Sequence, residues 1–171
     1  MSNSDLNDAN LDYVRAINLL ECPSYLPADW MCVNNNLVGP LARLQEADLN
    51  GVNLDNADLN GVVLDYADLF ETNLNGANLS NAFLYDADLT DANLRNSNLT
   101  GADLSYAGLT GANLSNALMY GTDLRYANLW FADLTGADLT GADLSSVSWY
   151  YTTCPDGTYS DENDDTCENN L

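Results

Sequence analysis

Basic side chains are almost missing from this sequence. It has no histidine and no lysine, and its basic residues are four arginines, Arg15, Arg43, Arg95 and Arg125. Against 26 acidic residues they leave a formal net charge of −22 at pH 7. Such a surface repels nucleic acid and anionic membranes and favours cations or basic partners. The plainer interpretation, a soluble surface that resists aggregation, remains open.

Features that enzymes and membrane proteins use are also missing. Without histidine, lysine or a glycine-rich phosphate loop, no catalytic constellation stands out, and the many aspartates recur only because a repeat recurs. No apolar run is long enough to span a bilayer. No basic-then-apolar leader follows Met1, so a secretory signal is absent or already removed. We therefore expect a non-catalytic protein that does not insert into membranes or bind nucleic acid.

The four cysteines form two local pairs near the chain ends, Cys22 with Cys32 and Cys154 with Cys167. Short-range pairs in non-repetitive segments predict two disulfide-closed loops. A zinc site is the alternative, but it would need a different cysteine spacing or histidine ligands. Disulfides predict an extracellular, periplasmic or lumenal address, and a cytoplasmic address fits them less well.

A five-residue repeat fills the middle of the chain. Leucine recurs at every fifth position from Leu44 to Leu144, with Met119 as the exception, and a small residue stands two places before each leucine. Leucines five apart share no face of a helix, and on a strand they would alternate between faces. Only a chain that turns a corner once per repeat can point them all at one interior. The repeat therefore predicts stacked coils with leucines and small residues inside.

The motif, Ala-(Asp/Asn)-Leu-x-x, resembles that of the pentapeptide-repeat family. The resemblance implies an all-β fold, a right-handed quadrilateral parallel β-helix with four pentads per coil and about five coils. We expect non-repetitive, disulfide-closed caps at both ends. The predicted organisation is an N-terminal arm and cap at 1–40, the β-helix at 41–149 and an acidic, cysteine-closed tail at 150–171.

The flanks carry their own predictions. Two isolated pentads at 4–13 either fold back onto their own molecule or add to the open coil of a neighbour. Apolar spacing predicts one or two helical turns over 14–20, before the cysteine loop at 22–32. At the other end we expect Trp149, Tyr150 and Tyr151 to plug the last coil.

Outward positions of the pentads define the candidate surfaces. With four pentads per coil, residues twenty apart stack, which predicts an amide ladder through Asn53, Asn73, Asn93 and Asn113. A second column, Asp48, Asp68 and Asp88, is joined on its side by Glu71 and Asp91 as an acidic stripe, which either binds cations or keeps the protein soluble. Contiguous exposed aromatics usually mark a contact surface. The candidate contact residues are Tyr66, Phe70, Phe83, Tyr85, Tyr106, Tyr120, Tyr126, Trp130 and Phe131.

The tail contains a candidate calcium site. Asp161, Asn163 and Asp165 have the alternating oxygen-ligand spacing found at the start of calcium loops. The glycine and bidentate glutamate of an EF-hand are missing, which excludes that fold. An acidic, solvated hairpin is the alternative, and calcium is the one cofactor that the sequence suggests.

Three functions follow from these patterns. The leading one is a non-catalytic, exported structural or protein-binding solenoid that self-associates through its aromatic side or its coil ends, as a homo-oligomer or end to end, or that binds another protein. The resemblance implies a second, an acidic mimic of DNA that binds a type II topoisomerase, although cysteine pairs fit a cytosolic role poorly. The third is a calcium-dependent surface protein.

Overall fold

The computed structural model describes residues 4–162 together with 166 and 167. Its main body is a four-sided parallel β-helix. The residue directly before the central leucine of each pentad forms a parallel bridge with the residue twenty positions later. These bridges run from Arg43 with Val63 to Asp133 with Thr153. Each bridge is isolated because the chain turns a corner after only a few extended residues. One coil is therefore twenty residues, or four pentads, as the sequence predicts.

Backbone hydrogen bonds of two kinds build the coils. The Leu64 N–H donates to the Phe83 carbonyl of the next coil at 2.7 Å, and the Val63 N–H donates to the Ala42 carbonyl of the previous one at 2.9 Å. The Ala67 N–H closes the corner by donating to the Leu64 carbonyl at 3.0 Å. The same bonds recur in pentad after pentad, so each coil stabilises only its neighbours.

The last residue of nearly every pentad has a positive φ. Gly61 has φ of 63° and Asn56 has φ of 56°. The corner is a turn whose third residue must be left-handed, which glycine, asparagine and aspartate adopt at least cost. This requirement explains why those residue types recur two places after each leucine.

Leucines and small residues fill the interior as predicted. Leu44 and Leu89 are fully buried, and so is Met119, which replaces leucine without changing the packing position. Burial loosens slightly at the C-terminal end, where Leu144 is 8 % exposed. Burying one leucine contributes about 1.5–3 kcal/mol, so the array supplies most of the hydrophobic stabilisation.

A few small-residue positions carry buried hydroxyls. The Thr72 hydroxyl donates to the Leu49 carbonyl at 2.8 Å, and Thr122 makes the same bond to Leu99 at 2.9 Å. Ser97 occupies an equivalent position, but its buried hydroxyl has no hydrogen-bond partner among the described residues. The methyl group of threonine limits its rotamers, whereas serine has no such restraint.

The N-terminal cap contains a β-hairpin. Strands β1 (Met31–Val33) and β2 (Asn36–Val38) pair antiparallel, and the two residues between them, Asn34 and Asn35, both have positive φ. The predicted Cys22–Cys32 disulfide is present beside this hairpin. Ile17, Trp30, Met31 and Val33 pack against the hydrophobic core, which places apolar side chains over the first coil.

The isolated pentads pair with their own chain. Asp5 bridges Tyr25 in parallel, and the Tyr13 N–H donates to the Leu41 carbonyl at 3.1 Å. The helical turns predicted at 14–20 are wrong. This segment forms neither helix nor strand, and its Leu19 N–H donates to the Asn35 carbonyl of the neighbouring hairpin, which competes for its backbone groups.

The C-terminal cap is closed by the second predicted disulfide, Cys154–Cys167, and includes one 3-10 turn, Ser160–Glu162. The predicted plug is only partly right. Trp149 stands in the leucine position and packs against the core, whereas Tyr150 and Tyr151 are 46 % and 51 % exposed because they occupy the outward positions of that pentad. Within the described ranges, no helix is long and apolar enough to cross a membrane.

Candidate functional site

Four tyrosines from successive coils form a continuous column, here called the tyrosine ladder. The ring centres of Tyr66 and Tyr85 lie 5.5 Å apart, edge to face, and those of Tyr85 and Tyr106 lie 5.4 Å apart. Tyr106 and Tyr126 stack at 4.7 Å with an angle of 18° between their planes. These ring contacts place the four tyrosines at one corner of the β-helix, here called the ladder corner, and their role as a contact surface stays a prediction.

The ladder uses backbone positions that disfavour tyrosine. Tyr66, Tyr106 and Tyr126 have φ of 61°, 63° and 62° at the last position of their pentads. A left-handed residue other than glycine costs roughly 1–2 kcal/mol, while an aromatic pair contributes about 0.5–1.5 kcal/mol. Stacking thus offsets the strain at best, so the fold alone gives no reason for tyrosine in place of glycine or asparagine.

A second aromatic group, here called the end cluster, consists of Trp130, Phe131, Tyr150 and Tyr151. Phe131 stacks on Tyr151 at 6.1 Å with planes 8° apart, and Tyr150 meets both rings edge to face, at 5.4 Å and 4.8 Å. Trp130 contacts Tyr150 at 5.7 Å. The sequence prediction included Trp130 and Phe131 but missed Tyr150 and Tyr151, which their outward register could have revealed.

The remaining predicted aromatics do not join one patch. Phe83 is 50 % exposed on a side that meets the ladder corner, and Phe70 is half-buried in the same column as Trp130, several coils before it. Tyr120 is exposed at another corner, and no ring contact within the described residues involves it. Leu118 nearby is 52 % exposed, because it stands in the outward position before Met119.

The aspartates and asparagines before each leucine have a structural role. The Asp88 carboxylate accepts a hydrogen bond from the Thr90 N–H at 3.0 Å, and the Asn53 amide oxygen accepts one from the Asp55 N–H at 3.2 Å. Aspartate and asparagine therefore cap the corner equally well. The amide ladder is confirmed at its first steps, since Asn73 donates to Asn53 at 2.8 Å and Asn93 donates to Asn73 at 3.0 Å.

Acidic residues are distributed unevenly around the β-helix. Residues 42–151 include fifteen acidic side chains. The twenty-residue register places eleven of them at the ladder corner or on the two sides that meet there, and this count includes Glu71 and Asp91 at the far edge of one side. These eleven are Glu46, Asp48, Asp65, Asp68, Glu71, Asp86, Asp88, Asp91, Asp103, Asp123 and Asp143. The other sides carry Asp55, Asp58, Asp133 and Asp138. Because asparagine caps the corner as well, the turns do not require this charge.

Two carboxylates, one at the ladder corner and one on a side that meets it, have opposite electrostatic environments. Partial burial raises the pKa of Asp65, with a further contribution from Asp103, against a hydrogen bond from the Tyr85 N–H. The Arg125 guanidinium lowers the pKa of Asp123 by hydrogen bonding at 2.6 Å, and it also lies 3.7 Å from Asp143. A guanidinium is thus held beside the ladder by two carboxylates.

The family model for pentapeptide repeats matches in eight copies, over residues 42–81, 67–105, 82–119 and 102–141. The chain belongs to the pentapeptide-repeat family. This confirms the predicted family, and the fold is its right-handed parallel β-helix. No curated protein matches the chain significantly.

Solved structures of other pentapeptide-repeat proteins resemble it. Rfr23 from the cyanobacterium Cyanothece 51142 is 30 % identical, with 61 % of this chain and 85 % of that one covered and a TM-score of 0.50. A protein from Nostoc Pcc 7120 is 37 % identical, with 59 % and 83 % covered and a TM-score of 0.51. One from the Arabidopsis thaliana thylakoid lumen is 34 % identical, with 60 % and 68 % covered and a TM-score of 0.32.

The candidate calcium site of this pentapeptide-repeat protein stays a prediction. Asp161 accepts a hydrogen bond from the Tyr151 N–H at 2.6 Å, while Asn163 and Asp165 lie outside the described residues. In the ranges that are described, no group of three acidic or cysteine side chains is placed to hold a metal ion.

A cavity of about 330 Å³ opens beside the last coil, between residues 137–142 and Pro155. Asp138 is the one ionisable group in its described lining, and its pKa is lowered by hydrogen bonds from Thr140. A single exposed carboxylate with a lowered pKa does not resemble a general acid or a nucleophile activated by a base.

Proposed function

We propose that this pentapeptide-repeat protein is a non-catalytic structural module of an oxidising compartment and that it self-associates through the end cluster. The observation that carries the proposal is an exposed aromatic surface without charge on a protein whose net charge is −22. Two disulfides, with no free cysteine in the described part of the chain, favour the compartment.

The end cluster lies on an uncharged stretch of the β-helix. Between Gly108 and Tyr151, the outward positions on the side that carries the end cluster are Gly, Thr, Asn, Ser and aromatic residues, with no charged side chain. At the ladder corner and on its other side, by contrast, two copies would bring carboxylates together. Like charges across an interface oppose association, so the end cluster combines exposed aromatic rings with a surface that adds no repulsion of its own.

The end cluster also has the composition of an interface core. Trp130 is 45 % exposed and Phe131 is 55 % exposed, and aromatic residues with little charge are enriched at the centre of protein interfaces. The β-helix holds the rings on rigid coils, which limits the entropy that is lost on binding.

Light scattering on the purified protein tests the proposal. The variant Trp130→Thr with Phe131→Gly copies Thr110 and Gly111, which occupy the same columns one coil earlier, so the corner geometry is kept. We expect an oligomer for the wild type and a monomer for this variant. The control, Tyr120→Thr, copies Thr100 and Thr140 and should leave the oligomer unchanged.

A wild-type protein that is strictly monomeric at high concentration would contradict the proposal. An oligomer that persists in the Trp130→Thr, Phe131→Gly variant would contradict the end cluster and favour contact through the coil ends. Removing residues 1–13 then asks whether the N-terminal pentads contribute to that contact.

The acidic charge supports a second candidate, the DNA mimic that binds a type II topoisomerase. Duplex DNA carries about one charge per 1.7 Å of axis, distributed along both strands. In this protein eleven of the fifteen carboxylates of the array lie around one corner, so the resemblance to the charge of DNA is limited. A gyrase supercoiling assay at micromolar protein tests this candidate, and a protein that does not inhibit supercoiling would rule it out.

The third candidate is a calcium-dependent surface protein. Chelation of calcium tests it, and a melting temperature that does not change on chelation would rule it out.

A further inference from the structure

We propose that the ladder corner binds a basic, extended polypeptide segment of a partner protein, with arginine side chains against the tyrosine rings and between the flanking carboxylates. The proposal concerns a surface other than the end cluster, so it stands even if self-association through that cluster fails. Shape, charge and a guanidinium already held at the corner support it.

The shape of the ladder fits an extended chain. Four rings in successive coils, with a rise of roughly 4.8 Å per coil, give a straight ridge of about 14 Å. An extended peptide rises about 3.3 Å per residue, so four to five residues span the ridge. Tyr66, Tyr106 and Tyr126 are 55 %, 48 % and 52 % exposed, which leaves their rings open to a ligand.

The charge at the corner selects a cationic ligand. Asp103 and Asp123 stand on one side of the ladder and Asp68 and Asp88 on the other. Arginine pairs with carboxylates through its planar fork and also stacks on aromatic rings, so this corner satisfies both preferences at once. Acidic peptides and nucleic acid would be repelled here.

The corner already holds one guanidinium. Arg125 precedes Tyr126 and is held by Asp123 at 2.6 Å, with Asp143 at 3.7 Å. Its side chain is half exposed, so the pair forms at the surface where a ligand would also lie. This contact within the chain is independent of the ring geometry, and it shows that carboxylates beside the ladder can hold a guanidinium.

The backbone strain of the ladder supports a binding role over a structural one. Three tyrosines occupy left-handed positions where equivalent pentads have glycine or asparagine, such as Asn56 and Gly76. Sugar binding fits less well, because a neutral sugar would not use the carboxylates that flank the ladder on both sides.

Fluorescence anisotropy with a labelled Arg-Ser repeat peptide of eight residues tests the proposal, with a Glu-Ser peptide of the same length as the negative probe. In the ring variant Tyr66, Tyr106 and Tyr126 are all changed to Asn, a residue that these turns accept. We expect the wild type to bind only the basic peptide. The affinity of the ring variant for this peptide should be lower by about tenfold or more. The control Tyr120→Thr should bind like the wild type.

A matched pair of charge variants separates this site from net charge. Asp88→Asn with Asp103→Asn removes two charges beside the ladder, and Asp133→Asn with Asp138→Asn removes two charges from the other sides, while asparagine preserves the corner caps. We expect only the first pair to weaken binding, by about tenfold at low salt, and to reduce its salt dependence. Circular dichroism melting verifies that every variant folds.

Three results would overturn the proposal. They are a wild-type protein that does not bind the Arg-Ser peptide, a folded ring variant that binds it unchanged, and equal weakening by the two charge pairs. The end-cluster variant Trp130→Thr, Phe131→Gly should still bind the peptide, which distinguishes this surface from the one used for self-association.

Discussion

The repeat array and the two flanks are held together in different ways. In the array, every coil forms the same backbone bonds to the coil twenty residues on, and leucines fill one continuous interior. The flanks use contacts that occur once, a hairpin at 31–38, an arm at 4–13 and a disulfide at each end. Stability in the array is therefore distributed over identical units, whereas each flank depends on a few particular bonds.

The largest predicted effect is the loss of an interior leucine. Leu89→Ala removes a fully buried side chain and should lower the free energy of unfolding by about 2–5 kcal/mol. Leu118→Ala is the matched control in the same array, because Leu118 is 52 % exposed, and it should change stability by no more than about 0.5 kcal/mol. Urea unfolding followed by circular dichroism measures both. Equal effects would show that the leucine register is wrong.

The next largest effect lies in the C-terminal flank. Replacing both Cys154 and Cys167 by Ser should lower stability by about 2–4 kcal/mol through loss of the covalent loop. We expect the circular dichroism spectrum of the array to remain, because the coils bond mainly to each other and only the last coil bonds to the tail, as in the hydrogen bond from the Leu134 N–H to the Thr153 carbonyl. Collapse of the whole spectrum at room temperature would mean that the flank holds the array together.

A smaller pair of effects compares two hydroxyls inside the array. Thr72→Ala breaks a buried hydrogen bond and should lower stability by about 1–2 kcal/mol. Ser97→Ala removes a hydroxyl that has no partner in the described part of the chain, so stability should stay equal or rise by about 1 kcal/mol. A destabilised Ser97→Ala protein would reveal a hydrogen bond to a buried water or a carbonyl.

The smallest effect is a difference in titration between two carboxylates. Hydrogen bonds from Thr140 lower the pKa of Asp138, so its stabilising contribution is present above its unfolded pKa and is lost as pH falls through the folded value. Burial raises the pKa of Asp65, so its carboxylate opposes folding above the folded pKa, and acidification relieves this. Carbon-13 NMR should show Asp65 taking up its proton at a higher pH than Asp138. The reverse order would be inconsistent with these environments.

The sequence predicts the array well because one physical requirement repeats. Leu49 and Ala67 must face a shared interior, and a residue such as Asn56 must turn left-handed, so each position signals its own environment. The disulfides and the first steps of the amide ladder followed from spacing in the same way. Where the repeat is strict, residues twenty positions apart in the sequence are neighbours on the surface, so the surface can be predicted from the sequence.

Predictions failed where single contacts decide the structure. The helical spacing at 14–20 lost to pairing with the hairpin, which the Asn34-Asn35 turn could have indicated. Tyr150 and Tyr151 were assigned to the core because they follow Trp149, although their register points them outward. Spacing had already placed the ladder tyrosines on one side of the coil and Phe70, Trp130 and Phe131 on the adjoining side. Only the ring positions show which of these residues contact one another.

The most direct test of this account is a nuclear Overhauser measurement between tyrosine rings in the folded protein. The account predicts cross-peaks between Tyr66 and Tyr85, between Tyr85 and Tyr106 and between Tyr106 and Tyr126, with none from Tyr120 to the ladder. Absence of the ladder cross-peaks in a folded sample would contradict the twenty-residue coil that lines up the outward side chains.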